Sequence, residues 1–543
     1  MKLVYLKLYT NFRSLPQGFE MRFTNHSLPR LNPICLIGAN GCGKSNVMEL
    51  VCEIFYYLES IHLQYADRSL LTKKNYGFEL EYDLPSDTVK KLWLIEKDQL
   101  SEKFLRVRIV KKKNQHASFY LMDKKKGFIL VTDRNDKIQI LPKKIIGYSS
   151  GMNELISNPF IKLQYHYHHE YENKLIEEIY DKIEISRLFF MDYDSTTSLL
   201  LANFLIGDVK RLAPLREHLS IQDIHSFQIV IRLSDYQNKP IQLTPELQHS
   251  IELLKRCSTT YEETTVKIGV KEIVMDYFVN DETKKAFKHY FQGSFELFKV
   301  FYQLSLLNIY KVPKKIRKMV RQAQSGQTIQ DLIPKPAKNQ LVFCMENIKL
   351  IKKGISTPIY YKSLSDGEHQ YLHIIGGVLL FEEDSTLFVL DEPETHFNPQ
   401  WRSKLVSTLD CIANTEVEGE LKKSRREQEF ILSTHSPFIL SDCHSENVFV
   451  FEKDVDSNIV QTYPIKIETY GTSANVLYEE VFGKESLISD MALEEINKLR
   501  MQNIEELNDV ERIRNEAHQF GESAEKFKLF THLSRKQREL ERE

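Results

Sequence analysis

An α/β fold of two lobes split by an insertion is what this sequence predicts, and three observations carry that expectation. Residues 38–45, Gly-Ala-Asn-Gly-Cys-Gly-Lys-Ser, match G-x-x-x-x-G-K-[ST] and stand between an apolar strand at 33–37 and a helical run at 46–57. A second apolar strand, 386–390, ends in Asp391-Glu392-Pro393. More than half the chain separates the two, and that stretch mixes strand-like with helical patterns.

The N-terminal lobe is expected to span 1–155. It starts with an alternating strand, MKLVYLKLYTNF, followed by Arg13 and Ser14. In the glycine-rich loop, backbone N–H groups can converge on phosphate oxygens. Asn40, Gly41, Cys42, Gly43, Lys44, Ser45 and Asn46 are the expected nucleotide contacts, Lys44 as a point charge and Ser45 as a Mg²⁺ ligand, so ATP and Mg²⁺ are the expected cofactors. Alternating segments at 78–82, 92–95, 104–110, 118–121 and 128–132 read as an antiparallel subsheet, and 145–151 as a strand returning to the core. Lys111–Lys113 and Lys124–Lys126 read as solvated hairpin edges.

Residues 156–338 are expected to form a compact mixed insertion, with helices at 195–212 and 284–310 and strands at 227–233 and 264–270. Apolar positions hold no heptad order there, which excludes a long coiled-coil arm. The run 311–321 carries six basic residues and no acid. Lys314, Lys315, Arg317, Lys318 and Arg321 are candidate nucleic-acid contacts, the alternative being a solvated helix face.

The C-terminal lobe, 339–480, contains Leu364-Ser365-Asp366-Gly367-Glu368-His369-Gln370 at the start of a helix, where Ser365 and Glu368 fit a capping box. Asp391 at a strand end is placed to hold Mg²⁺, and Glu392 to polarise an attacking water. A further strand, 430–434, runs into His435, and a hairpin is expected at 447–452 and 459–463. Asp454 and Asp456 between its strands fit a tight turn better than a metal pair. The tail, 481–543, reads as helical and mixed in charge; Arg512 and His518 within it have the spacing of a HEPN-type ribonuclease pair.

Composition bounds the function. With 73 basic and 75 acidic residues, the chain is not a uniform nucleic-acid coat. Seven scattered cysteines without a C-x-x-C pair exclude a disulfide framework and a zinc knot, and point to a reducing cytosol. The longest apolar run, 374–381, falls short of the roughly 18 residues of a membrane span, so a cytoplasmic chain without a membrane partner is expected.

Residues 364–370 resemble the signature motif of ATP-binding-cassette ATPases, 430–437 their switch-histidine segment, and 394–399 their dimer-contacting loop. The resemblance implies that Ser365, Gly367 and Glu368 meet the nucleotide of a second copy, that Glu392 and His435 are catalytic, and that ATP joins two heads. The split head resembles the RecF- and SMC-like branch, in which an arginine at the position of Arg13 approaches the nucleotide. Where that class often has a glutamine, this chain has Ser149 and Ser150. On residues 148–154, 191–194, 364–370, 391–399 and 520–526, the chain is similar to PtuA-type ATPases of Septu and retron anti-phage systems. That likeness implies an HNH nuclease partner of the PtuB kind on a separate chain. In retron members it also implies a reverse transcriptase with its DNA–RNA product. A repair ATPase acting directly on DNA, or a chain with its own ribonuclease pair, are the alternatives.

Overall fold

The computed structural model describes residues 1–23, 30–65, 76–89, 103–123, 125–151, 154–179, 186–267, 270–324, 327, 329–414, 426–454, 459–483 and 488–541. The strand expected at 92–95, Lys124 and Asp456 lie outside them. The chain divides into two units, Met1–Tyr470 and Gly471–Glu543. No helix among the described residues is long and apolar enough to cross a membrane.

The first unit has the α/β class expected. Its central sheet has seven strands, in the order Val460–Pro464, Val448–Lys453, Ile34–Gly38, Glu429–Ser433, Thr386–Asp391, Lys144–Ser149, Leu188–Phe190. Every neighbouring pair is parallel except the first, the hairpin expected from sequence. The middle strands are buried throughout, as continuous apolar runs such as Thr386–Asp391 require.

A six-stranded antiparallel sheet covers one side. Its order is Glu20–Arg22, Lys2–Leu8, Phe78–Pro85, Phe104–Lys111, Ser118–Asp123, Gly127–Val131. Phe104–Lys111 alternates in burial residue by residue, the signature of a sheet with one packed face. Helix Lys44–Ser60 lies between the two sheets. One core runs from Leu3, Leu80 and Ile109 through Leu50 and Ile54 to Val389 and Ile431. That explains why this helix is buried nearly all round.

Three expectations change. Lys111 is no solvated edge: it is fully buried, donates to Tyr76 O (2.9 Å) and lies over the Tyr57 and Tyr76 rings. Burial lowers its ammonium to about 8. The stretch 156–338 does not stand apart as a body of its own. Leu188–Phe190 joins the central sheet. Ile221–Arg232 pairs with Phe343–Lys352 in a five-stranded sheet ordered Thr260–Lys267, Val270–Phe278, Ile221–Arg232, Phe343–Lys352, Ile359–Tyr360. The helix expected at 284–310 is broken at Gly293 into Asp281–Tyr290 and Ser294–Leu306.

In the second unit, after the short helix Ala474–Glu480, helices Asp490–Arg500, Leu507–Ala517 and Ala524–Leu540 pack around a small core of Ile496, Val510, Ile513, Leu529 and Leu533. Its mixed charges cover a packed bundle.

Candidate active site

Parallel neighbours in one sheet end at one edge, and that geometry assembles the site. Ile34–Gly38 leads into the phosphate loop, Glu429–Ser433 into Thr434 and His435, and Thr386–Asp391 into Glu392. Asp391 stands in register with Ser433 on one side and Ser149 on the other. Its carboxylate accepts from Ser433 Oγ (2.5 Å), Ser149 Oγ (3.4 Å) and Ser45 Oγ (3.3 Å). The serine found where the class often has a glutamine is thus tied to the acidic strand end.

The loop residues 39–41 are exposed, while Cys42, Gly43 and Lys44 are buried. Gly43 has φ 100, and a Cβ there would lie 2.9 Å from Val460 and 3.2 Å from Ser14 Oγ. Only glycine fits. No side chain caps helix Lys44–Ser60, so the N–H groups of Lys44 and Ser45 remain available to an anion.

Lys44 Nζ donates to Gly38 O (2.8 Å) and Ala39 O (3.1 Å) and lies 3.1 Å from His435 Nε2. Burial, and then the Lys44 charge, lower the His435 imidazole below its ordinary value, while Glu392 and Asp391 pull the other way. A neutral His435 accepting from Lys44 at Nε2 satisfies both. Glu392 Oε1 lies 3.7 Å from the same nitrogen. Glu392 has φ 48, and its N–H donates to Ser433 O (3.2 Å) and Ser433 Oγ (3.0 Å). This left-handed residue turns the chain out of the strand, with strain of the kind that functional sites hold.

Mg²⁺ prefers oxygen ligands, few of them from protein, and two oxygens of its octahedron stand about 3 Å apart. Ser45 Oγ and an Asp391 oxygen, 3.3 Å apart, fit that pattern and would hold the ion. The uncapped helix N-terminus and Lys44 would take the phosphates.

Other expected contacts are engaged elsewhere. Arg13 (φ 54) donates from Nε and Nη2 to Glu49 at 3.0 and 2.7 Å, and Asn46 Nδ2 donates to Ser14 Oγ (2.6 Å). Both links clamp the 12–15 turn onto the phosphate-loop helix. Burial raises the Glu49 carboxyl against the pull of Arg13.

Ser365 caps helix Asp366–Leu380 in the expected box with Glu368, whose other oxygen takes Lys352 Nζ at 2.5 Å. Ser365 is exposed and makes no hydrogen bond to the phosphate loop among the described residues. Gly367 packs against the 394–399 turn, where its Cβ would lie 2.7 Å from His396 O. His396 N donates to Gln370 Oε1 (2.8 Å).

Sequence reading missed Glu394. It is buried, and its carboxylate accepts from Thr434 Oγ1, next to His435. Burial pushes its carboxyl up to about 7. Its only signal was an acid three residues past Asp391.

On helix Lys314–Gln322, the exposed Lys314, Lys315 and Lys318 have no charged partner among the described residues. Arg317 is buried and donates to Glu172 (2.8 Å), so it is withdrawn from that face. Arg321 is half-buried beside it, and burial lowers its guanidinium. Arg512 and His518 do not form a pair: six residues at about 100° each leave them about 120° apart around one helix. Arg512 faces Asp509 (3.3 Å), and the His518 ring meets Phe530.

The phosphate loop, the Asp391-Glu392 strand end and His435 beside it converge at one edge of a parallel sheet, the layout of a P-loop ATPase head. Solved structures that show likeness include two SMC heads. The SMC head bound to the C-winged helix domain of ScpA is 10% identical, with TM-score 0.35 and coverage of 86% of this chain and 98% of that one. The SMC head domain from Thermotoga maritima is 10% identical, with TM-score 0.33 and coverage of 86% and 100%. Both scores are low, and the assignment rests on the site and on the family match instead. No curated protein matches the sequence. A family model described as "AAA ATPase domain" matches residues 1–440, most of the chain and every element of the site up to His435. The chain belongs to the AAA ATPase domain family, AAA_15.

Proposed function

We propose that this chain is an ATP-gated regulator in which two heads close around nucleotide and a separate protein carries the cutting chemistry. One observation carries the reading. The Ser365-capped helix start is exposed and its hydroxyl bonds only to Glu368 of its own capping box, which leaves it and the helix start around Gly367 accessible to nucleotide on another copy. The other half of the site, Lys44, Ser45, Asp391, Glu392 and His435, converges within one chain. In the closed pair, Lys44 and the helix N-terminus bind the phosphates, Glu392 orients water, and Ser365 of the neighbouring copy completes the enclosure. Mg²⁺ supplies charge neutralisation there.

The partner is an HNH nuclease of the PtuB kind, on the PtuA-type resemblance, in an anti-phage system with or without a reverse transcriptase and its DNA–RNA product. Light scattering of Glu392→Gln with ATP tests the first half. ATP-dependent assembly is expected, and adding Ser365→Arg should abolish assembly while ATP binding persists. Assembly that survives Ser365→Arg refutes the shared site. Copurification with an HNH protein, with cutting that depends on Lys44, tests the second.

The free Lys314, Lys315 and Lys318 favour a second reading, direct contact with a nucleic-acid backbone. Replacing the three with glutamine should then weaken oligonucleotide binding and flatten its salt dependence.

A further inference from the structure

A groove of about 690 Å³ opens in the first unit, between strand Phe343–Lys352 and helices Glu154–Ile176 and Tyr193–Ile206. Along one side this strand pairs with Ile221–Arg232, but on its other side only Lys349 and Leu350 have a strand partner. Arg232 N donates to Val342 O at 2.7 Å. Antiparallel alternation then turns the N–H and C=O of Val342, Cys344 and Glu346 toward Ile221–Arg232, and those of Phe343 and Met345 toward the groove. Asn347 (φ 53) ends this open edge at a register shift.

The first of the two outward pairs is satisfied by a side chain. Phe343 N donates to Asn308 Oδ1 (2.9 Å), and Phe343 O accepts from Asn308 Nδ2 (3.0 Å). A carboxamide is one peptide unit, so Asn308 sits as a neighbouring strand would. At Met345, half-buried in the groove wall, the N–H and C=O have no partner among the described residues. Unpaired main-chain groups in a concave wall are a template for another chain.

We propose that this groove binds an extended peptide segment of a partner protein, added as a strand along Phe343–Asn347. Met345 supplies the main-chain bonds, and alternate side chains of the peptide pack on Phe189, Phe190, Tyr193 and Tyr302 opposite. The charges favour a peptide over a nucleic acid. Lys335, Lys338 and Lys362 line the groove together with Asp192, Asp194 and Glu346, an even balance that holds no phosphate backbone but suits a segment with charges of both signs. The site does not depend on the nucleotide reading, yet it adjoins the signature helix. The His369 ring on that helix lies 4.6 Å from the Tyr361 ring and 5.8 Å from that of Tyr193, both in the groove wall.

Selection of a random-sequence peptide display library on the full chain supplies the probe. Selected peptides, synthesised with a fluorophore, are titrated by anisotropy in native form and N-methylated at alternate residues, with oligo-dT as competitor. Native peptides should bind, and one N-methylation register should weaken them about tenfold, the loss of the main-chain bond to the Met345 carbonyl. Met345→Pro removes an N–H that Ile221–Arg232 does not use, and should weaken binding equally while circular dichroism stays unchanged. The N-methylated arm leaves the protein native, so it decides the matter if that variant misfolds. Failure to select any peptide, indifference to N-methylation in both registers, or displacement by oligo-dT at equal concentration overturns the proposal.

Discussion

Glu392→Gln isolates the chemical step from everything else the site does. The Glu392 carboxylate is 40% exposed, meets Thr395 Oγ1 at 3.4 Å and lies 3.7 Å from His435, so no buried charge is stranded by the change. The residue's structural duty is carried by its N–H, bonded to Ser433, and glutamine keeps it. Folding stability should therefore move by no more than about 0.5 kcal/mol. In the proposed site the ATP contacts come from Lys44, Ser45 and the helix N-terminus, so binding should change by less than about twofold. Loss of a positioned base should slow hydrolysis by about 10²–10⁴, equivalent to roughly 3–5 kcal/mol of barrier. Single-turnover phosphate release, beside equilibrium binding of labelled ATP, separates the two quantities. Unchanged turnover would remove Glu392 from the chemistry. A parallel collapse of binding would show that its carboxylate organises the pocket instead.

Glu394 gives a pH prediction. Its folded carboxyl is raised from 4.5 to about 7, so the folded state holds the proton more tightly than the unfolded chain. The stability that Glu394 contributes is thus fully present below pH 4.5 and is lost as pH rises to about 7, by on the order of 3 kcal/mol. Glu394→Gln should flatten that window in urea titrations, raising the midpoint at pH 8 and leaving it nearly unchanged at pH 5. The pair Lys162–Glu53 (3.0 Å, both buried) joins helix Glu154–Ile176 to the phosphate-loop helix. Lys162→Met takes the ammonium away from a buried carboxylate and should cost about 3–5 kcal/mol, most of it recovered by adding Glu53→Leu; denaturation midpoints of the single and double variants test this. Gly367→Ala puts a methyl 2.7 Å from His396 O, which must move. A stability loss of about 1–3 kcal/mol, with lower ATP turnover, is expected, and undiminished turnover would show that the 394–399 turn tolerates displacement.

Much of the site was legible because its parts are local. A phosphate loop needs glycines at fixed offsets between a strand and a helix. A capping box needs Ser365 and Glu368 three apart, and both form as read. The antiparallel subsheet was legible from alternation in Phe104–Lys111 and Ser118–Asp123. Charge was a poorer guide. Lys111 and Arg317 sit in basic runs that suggest solvent, yet each is buried with a partner distant in sequence, Tyr76 for one and Glu172 for the other. The boundary at 338 failed for a similar reason, since Ile221–Arg232 on one side of it pairs with Phe343–Lys352 on the other.

By itself the sequence determined which polar groups stand at the phosphate loop, the helix caps and the strand ends, and on which kind of element each rides, because loops, caps and strand ends are set by neighbours a few residues apart. The tertiary structure alone decided that Ser149 and Ser433 flank Asp391, that Glu49 holds Arg13, and that Glu394 reaches the residue beside His435. Those contacts follow from the order and register of parallel strands, which is set by how whole sheets and helices pack and leaves no short-range mark in the chain.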